Sequence, residues 1–221
     1  FAQTEGLIDV ALSRRTEVAG MVGQSAVMRE IFATLERIGP THIPVLLHGE
    51  SGTGKELAAR AIHQFSFSHE EAPFVVFDCS AVQRGLLESA LYGHEEGAFS
   101  GAVEARPGAM ELAAGGTLFI DEIGELDPDM QPKLLRALDK GEFRRVGGTT
   151  LQKSSARIVA ATHHDLEKSV EDGSFRHDLF FRLAGMKVEI PPLRERTEDI
   201  PLLVQHLLEE MGERAMGIRI P

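Results

Sequence analysis

Cysteine is almost missing from this 221-residue chain. Cys79 stands alone, so neither an internal disulfide nor a cysteine-rich zinc site can form. Tryptophan is absent and Tyr92 is the one tyrosine, which argues against aromatic platforms for stacking single-stranded nucleic acid. Basic residues are in deficit: 23 Lys and Arg face 34 Asp and Glu, a formal charge of −11. A nucleic-acid-binding domain would instead show a basic face. No apolar run approaches the ~20 residues needed to span a bilayer. Residues 1–15 lack the pattern of a signal peptide, so a reducing cytoplasm is the expected setting. What is present, 43% hydrophobic and 26% charged residues, is the composition of an ordinary globular protein. At this length it buries a core without staples.

Periodicity points to an α/β chain. Val27, Met28, Ile31, Phe32, Leu35 and Ile38 recur at helical spacing, and Gly39-Pro40 ends that helix. Short apolar runs at 45–47, 74–77, 117–120, 158–161 and 187–190 have strand length and close in polar or Gly-rich turns. Helical patterns separate them: Leu57, Ala58, Ala61, Ile62 and Phe65, then Leu134, Leu135 and Leu138 after Pro132. Strands alternating with helices imply a parallel sheet covered on both faces, and wholly apolar strands agree with that burial. Residues 1–16, polar and without a period, read as a linker. A last helical pattern over 200–211 follows Pro191-Pro192 and reads as the start of a second unit.

Two motifs carry chemistry. Gly49-Glu50-Ser51-Gly52-Thr53-Gly54-Lys55-Glu56 lies between a strand and a helix, the context that a phosphate-binding loop requires. Glycines let backbone N–H groups turn inward around a phosphate, and the helix N-terminus adds positive potential. Lys55 supplies a mobile cation, while Glu56 stands where a magnesium-binding Ser or Thr is usual. The second motif is an apolar run ending in Asp121 and Glu122. In open α/β sheets the carboxyl ends of the strands face the ligand crevice. Asp121 is therefore the candidate ligand of Mg²⁺, and Glu122 the candidate for polarising the attacking water.

These motifs, with three more, resemble the AAA+ ATPase domain of the sigma-54-dependent transcription activators. The loop is similar to that family's in carrying Glu56. Gly97-Ala98-Phe99-Ser100-Gly101-Ala102 resembles its GAFTGA signature. Phe175-Arg176-His177-Asp178-Leu179-Phe180-Phe181-Arg182-Leu183 and Pro191-Pro192-Leu193-Arg194-Glu195-Arg196 are also close to family form. The resemblance implies an α/β AAA+ P-loop fold over 17–196, with a five-stranded parallel sheet, and a helical lid of which 197–221 is the first part. It implies ATP hydrolysis that remodels RNA polymerase carrying sigma-54, with residues 97–102 touching the sigma factor. It further implies a hexameric or heptameric ring, with Arg182, or less strongly Arg176, reaching a neighbouring subunit's γ-phosphate. Val22 and Gly23 would line the adenine pocket. DNA would be bound only through a domain absent from this chain.

Three positions depart from the family pattern. Asp78 stands where an Asn is usual, one that holds the catalytic glutamate; an anionic Asp78 near Glu122 would repel it or share its proton. His163 replaces a sensor Asn that reads the γ-phosphate, and Ser100 replaces Thr. Asp78, His163 and the short lid motivate a second reading, a nucleotide-gated binding module with weak or no hydrolysis. An AAA+ remodeller of another target is a third, with the 97–102 loop as the feature against it.

Overall fold

The structure, a computed structural model, describes residues 12–67 and 71–216, the last four by their backbone. Five parallel strands form the central sheet: β1 (Val45–His48), β2 (Phe74–Asp78), β3 (Thr117–Asp121), β4 (Arg157–Thr162) and β5 (Met186–Glu189). Their order across the sheet is β5-β1-β4-β3-β2. Each strand overlaps a run expected from the sequence. The three inner strands are buried almost throughout, whereas Val76 on β2 and three of the four residues of β5 are exposed. Edge position, which composition does not reveal, explains the difference.

Successive strand side chains point to opposite faces, so each strand feeds two cores. Val45, Leu47, Phe119, Val159 and Ala161 pack with α1 (Ala26–Ile38) and α2 (Lys55–Ser66). Leu46, Leu118, Ile120, Ile158 and Ala160 pack with α3 (Leu87–Tyr92), α4 (Gln131–Lys140) and, past the short α5 (Leu166–Glu171), α6 (His177–Leu183). Pro132 sits in the first turn of α4, where a missing N–H costs nothing. Ser25 caps α1, and Arg157 closes its other end by donating to the carbonyls of Ile38 and Gly39.

The stretch expected as a linker lies, over 1–11, outside the described residues. Its remainder is attached: Ser13 Oγ donates to Glu36 at 3.0 Å and Arg15 lies over the Phe65 ring. The last helix, α7 (Ile200–Met216), covers the expected pattern. It is tied to the sheet domain by Asp199, which is fully buried and accepts from Gln24 N, Ser25 N and Ser25 Oγ at 2.6, 2.7 and 2.8 Å.

Candidate functional site

The β1–α2 loop, residues 49–54, is built around glycine. Gly52 and Gly54 have φ of +79° and +101°, a left-handed backbone that side chains resist. Gly49 faces a different constraint: a Cβ there would lie 2.7 Å from the Ile190 carbonyl. Thr53 Oγ1 donates to the Glu50 carbonyl at 2.8 Å and pins the turn. Ser51 is exposed at its tip. Lys55 opens α2 but is buried, its Nζ donating to the carbonyls of Gly49 (3.0 Å) and Glu50 (3.3 Å). A buried ammonium held by two loop carbonyls is a cation poised over the inside of the loop.

Beside the loop lies a cleft of ≈ 420 Å³, in the range of small-molecule sites. Met21, Val22, Leu57 and Leu203 form apolar walls; Glu50, Arg194 and Arg196 supply the polar ones. Val22 thus faces the cleft, whereas Gly23 does not line it: a Cβ on Gly23 would strike Met28 Cβ at 2.7 Å. Glu56 is turned away on the exposed face of α2, where Arg60 donates to it at 2.7 Å.

The two carboxylates stand at the end of β3. Asp121 is held by the Glu122 backbone N–H at 3.0 Å. Burial is the main cause that pushes its carboxyl up, and the Glu122 and Asp78 charges add to it, against the Glu122 N–H and Lys55. Glu122 has φ +48° and ψ +49°, strained for a residue with a side chain. Burial pushes its carboxyl up, but the His163 hydrogen bond and the Lys55 charge outweigh burial and hold it below the ordinary range. Lys55 Nζ stands 3.5 Å from Glu122 Oε1, and His163 Nδ1 lies 2.7 Å from Oε2. Asp78, adjacent to Asp121 in the sheet, does not engage Glu122; its Oδ1 accepts from Ser80 N, Ser80 Oγ and Ala81 N.

The 97–102 loop closes on itself. Gly97 N donates to the Ala102 carbonyl at 2.8 Å and Ala102 N to the Phe99 carbonyl at 3.0 Å, with Gly97 and Gly101 at φ +76° and +109°. Ala102 is buried at the base and Ser100 exposed at the tip. The Phe99 ring is neither in the core nor free: it is 36% exposed and meets the buried His94 ring edge-on at 5.1 Å. Ala98 rests against Gly147, where a Cβ would lie 2.8 Å from the Ala98 Cβ, so the 142–153 hairpin braces the loop. Neither arginine of α6 lines the cleft of its own chain. Arg176 precedes the helix and forks onto Asp178 at 3.0 and 2.7 Å. Arg182 is half exposed and reaches α4, at 3.2 Å from Asp139 Oδ1 and 2.8 Å from the Leu138 carbonyl.

Residues 21–189 match the model of the "Sigma-54 interaction domain". The chain belongs to that family. It is 50% identical, over 95% of its length, to the Nif-specific regulatory protein of Herbaspirillum seropedicae. It is 47% identical, over 93%, to the DNA-binding transcriptional regulator NtrC of Salmonella typhimurium. NtrX of Brucella abortus, solved in complex with ATP, superposes with a TM-score of 0.80 at 38% identity, covering 93% of this chain and 46% of that one. The chain spans 39% and 44% of the two curated relatives, so it is similar to one part of each. The sheet and its flanking helices are the AAA+ P-loop NTPase fold of sigma-54 activators. Among the described residues no helix is long and apolar enough to cross a membrane.

This sigma-54 interaction domain also contains contacts that sequence reading missed. Arg194 forks onto Glu50 at 2.8 and 2.6 Å across the cleft mouth, and Arg196 donates to the Thr53 carbonyl at 3.0 Å. Both arginines were visible in the 191–196 motif, but their partners lie more than a hundred residues earlier, and no local spacing signals such pairs. Arg145 donates to Glu111, 34 residues earlier, at 2.8 and 2.7 Å and reaches Glu95, beside the loop base, at 3.5 Å, pairs that local spacing does not signal either.

Proposed function

We propose that this chain binds ATP with Mg²⁺, hydrolyses it, and couples the cycle to engagement of sigma-54 by the 97–102 loop. The observation that carries the reading is the buried Lys55 ammonium inside a left-handed glycine loop, 3.5 Å from the acid at the end of β3. The groups present fit a nucleotide with its metal. The loop and the start of α2 suit phosphates. Asp121 offers one carboxylate, in keeping with Mg²⁺, which takes one or two and completes its shell with phosphates and water. Bound there, Mg²⁺ would neutralise charge on the phosphate oxygens.

The chain's own residues carry the remaining steps. Lys55 holds the β- and γ-phosphates. Glu122, kept ionised at neutral pH, orients the attacking water and accepts its proton. Hydrolysis needs a further cation on the γ-phosphate, and Arg182 of a neighbouring subunit supplies it in a hexameric or heptameric ring; such a cation contributes ~10³–10⁵ in rate. Phe99 and Ser100 form the tip that meets sigma-54. The same reading places the protein in the cytoplasm, with DNA bound by other parts of the longer regulators it resembles.

The sigma contact is testable on the loop. Phe99→Ala is expected to keep the fold and ATP turnover within about twofold, because a ring 36% exposed outside the core costs less than the ~3–5 kcal/mol of a core Phe. It is expected to abolish binding to purified sigma-54 in the presence of ADP and aluminium fluoride. Equal binding by wild type and variant would return the assignment to an AAA+ ATPase of another target.

A further inference from the structure

Glu122 is doubly restrained. Oε1 faces Lys55 at 3.5 Å, while Oε2 is met by His163 Nδ1 at 2.7 Å and by the His163 backbone N–H at 3.3 Å. An ionised carboxylate only accepts hydrogen bonds, so His163 Nδ1 is the donor. The Glu122 backbone is left-handed, a conformation that persists only where the surroundings over-determine it. His163 is itself steadied. Its ring lies against His164 with centroids 4.2 Å apart, and His164 contacts Glu125 through Nε2 at 2.8 Å. Two histidines leaving β4 thus meet two glutamates leaving β3.

The position from which the family resemblance expects a hold on this glutamate cannot supply one here. The Asp78 carboxylate has no proton to donate and is occupied by its own turn. The donor comes from the opposite flank of β3. Resting on the proposed hydrolytic site, the geometry points to His163 as the positioning residue of Glu122, aiming its carboxylate through the Nδ1–H bond. Lys55 is the residue that a bound phosphate would draw away. His163 then remains as the side-chain donor that keeps Glu122 aligned.

Three measurements on the full chain test this. His163→Ala is expected to lower kcat at least tenfold while KM and nucleotide Kd stay within about threefold, with Tm unchanged because the imidazole is half exposed. His163→Asn, whose amide also donates, is expected to recover most of that loss. In nucleotide-free protein with ¹⁵N-labelled histidine, the Nδ1 resonance of His163 is expected to shift on Glu122→Ala, a change that a contact made only to the γ-phosphate would not produce. An unchanged kcat in His163→Ala, no recovery in His163→Asn, or an unmoved Nδ1 resonance would each overturn the assignment. Failure here is separable from failure of the site itself: if Glu122→Ala is inactive while His163→Ala turns over normally, only His163's role falls. If Glu122→Ala is fully active, the hydrolytic reading falls.

Discussion

Burial beside acids sets the chemistry of individual side chains at the carboxyl ends of β2 and β3. Cys79 follows Asp78 at the end of β2 and is 4% exposed. Burial first, then the charges of Asp78, Asp121 and Glu122, push its thiol up to about 12. At pH 8 roughly one thiol in ten thousand is then ionised, and the thiolate is the nucleophile. Native protein is therefore expected to resist iodoacetamide at pH 8 for hours and to take up one equivalent on unfolding. Rapid labelling of the native state, followed by mass spectrometry, would contradict this burial. The sequence alone identified Lys55, Asp121 and Glu122 as candidates, because contiguous motifs carry them. It left open what each one faces. The expected repulsion between Asp78 and Glu122 gives way to an Asp78 that caps its own turn, a choice made by backbone N–H groups that no motif displays.

Elements were more legible than contacts. Apolar runs bounded by turns located all five strands of the sheet, and helical spacing found α1, α2, α4 and α7, because burial imposes a period on sequence. Strand order, edge exposure and the ties between distant elements were not legible, since they depend on pairings far apart in the chain. Asp199 makes one of these ties. Buried before α7, it accepts three hydrogen bonds from Gln24 and Ser25, next to the strand that bears Val22. Asp199→Ala would leave two backbone N–H groups and a hydroxyl unpaired, at a cost of about 2–4 kcal/mol. Calorimetry is expected to show a fall in Tm of roughly 5–15 °C. It is also expected to weaken nucleotide binding, because α7 contributes Leu203 to the cleft wall. A Tm within two degrees of wild type would mean that this tie carries little weight.

For the molecule as a whole, the arginines of α6 decide whether one chain suffices. In its own chain Arg182 is engaged by Asp139 and the Leu138 carbonyl, while the cleft is lined by other residues. If Arg182 acts on a neighbour's γ-phosphate, specific activity rises with protein concentration. Arg182→Ala is then expected to cut kcat by at least a hundredfold, with nucleotide Kd changed less than about threefold. Activity independent of concentration, and unaffected by Arg182→Ala, would make the arginine a surface residue tied to α4. The central claim, that Lys55 and Glu122 divide phosphate binding from water activation, is tested most directly by comparing single-turnover cleavage of γ-³²P-ATP with nucleotide Kd in Lys55→Ala and Glu122→Ala. Lys55→Ala is expected to lose binding, and Glu122→Ala to bind within about threefold of wild type while cleavage falls at least a hundredfold. Equal losses of affinity in both variants, or normal cleavage by Glu122→Ala, would contradict it.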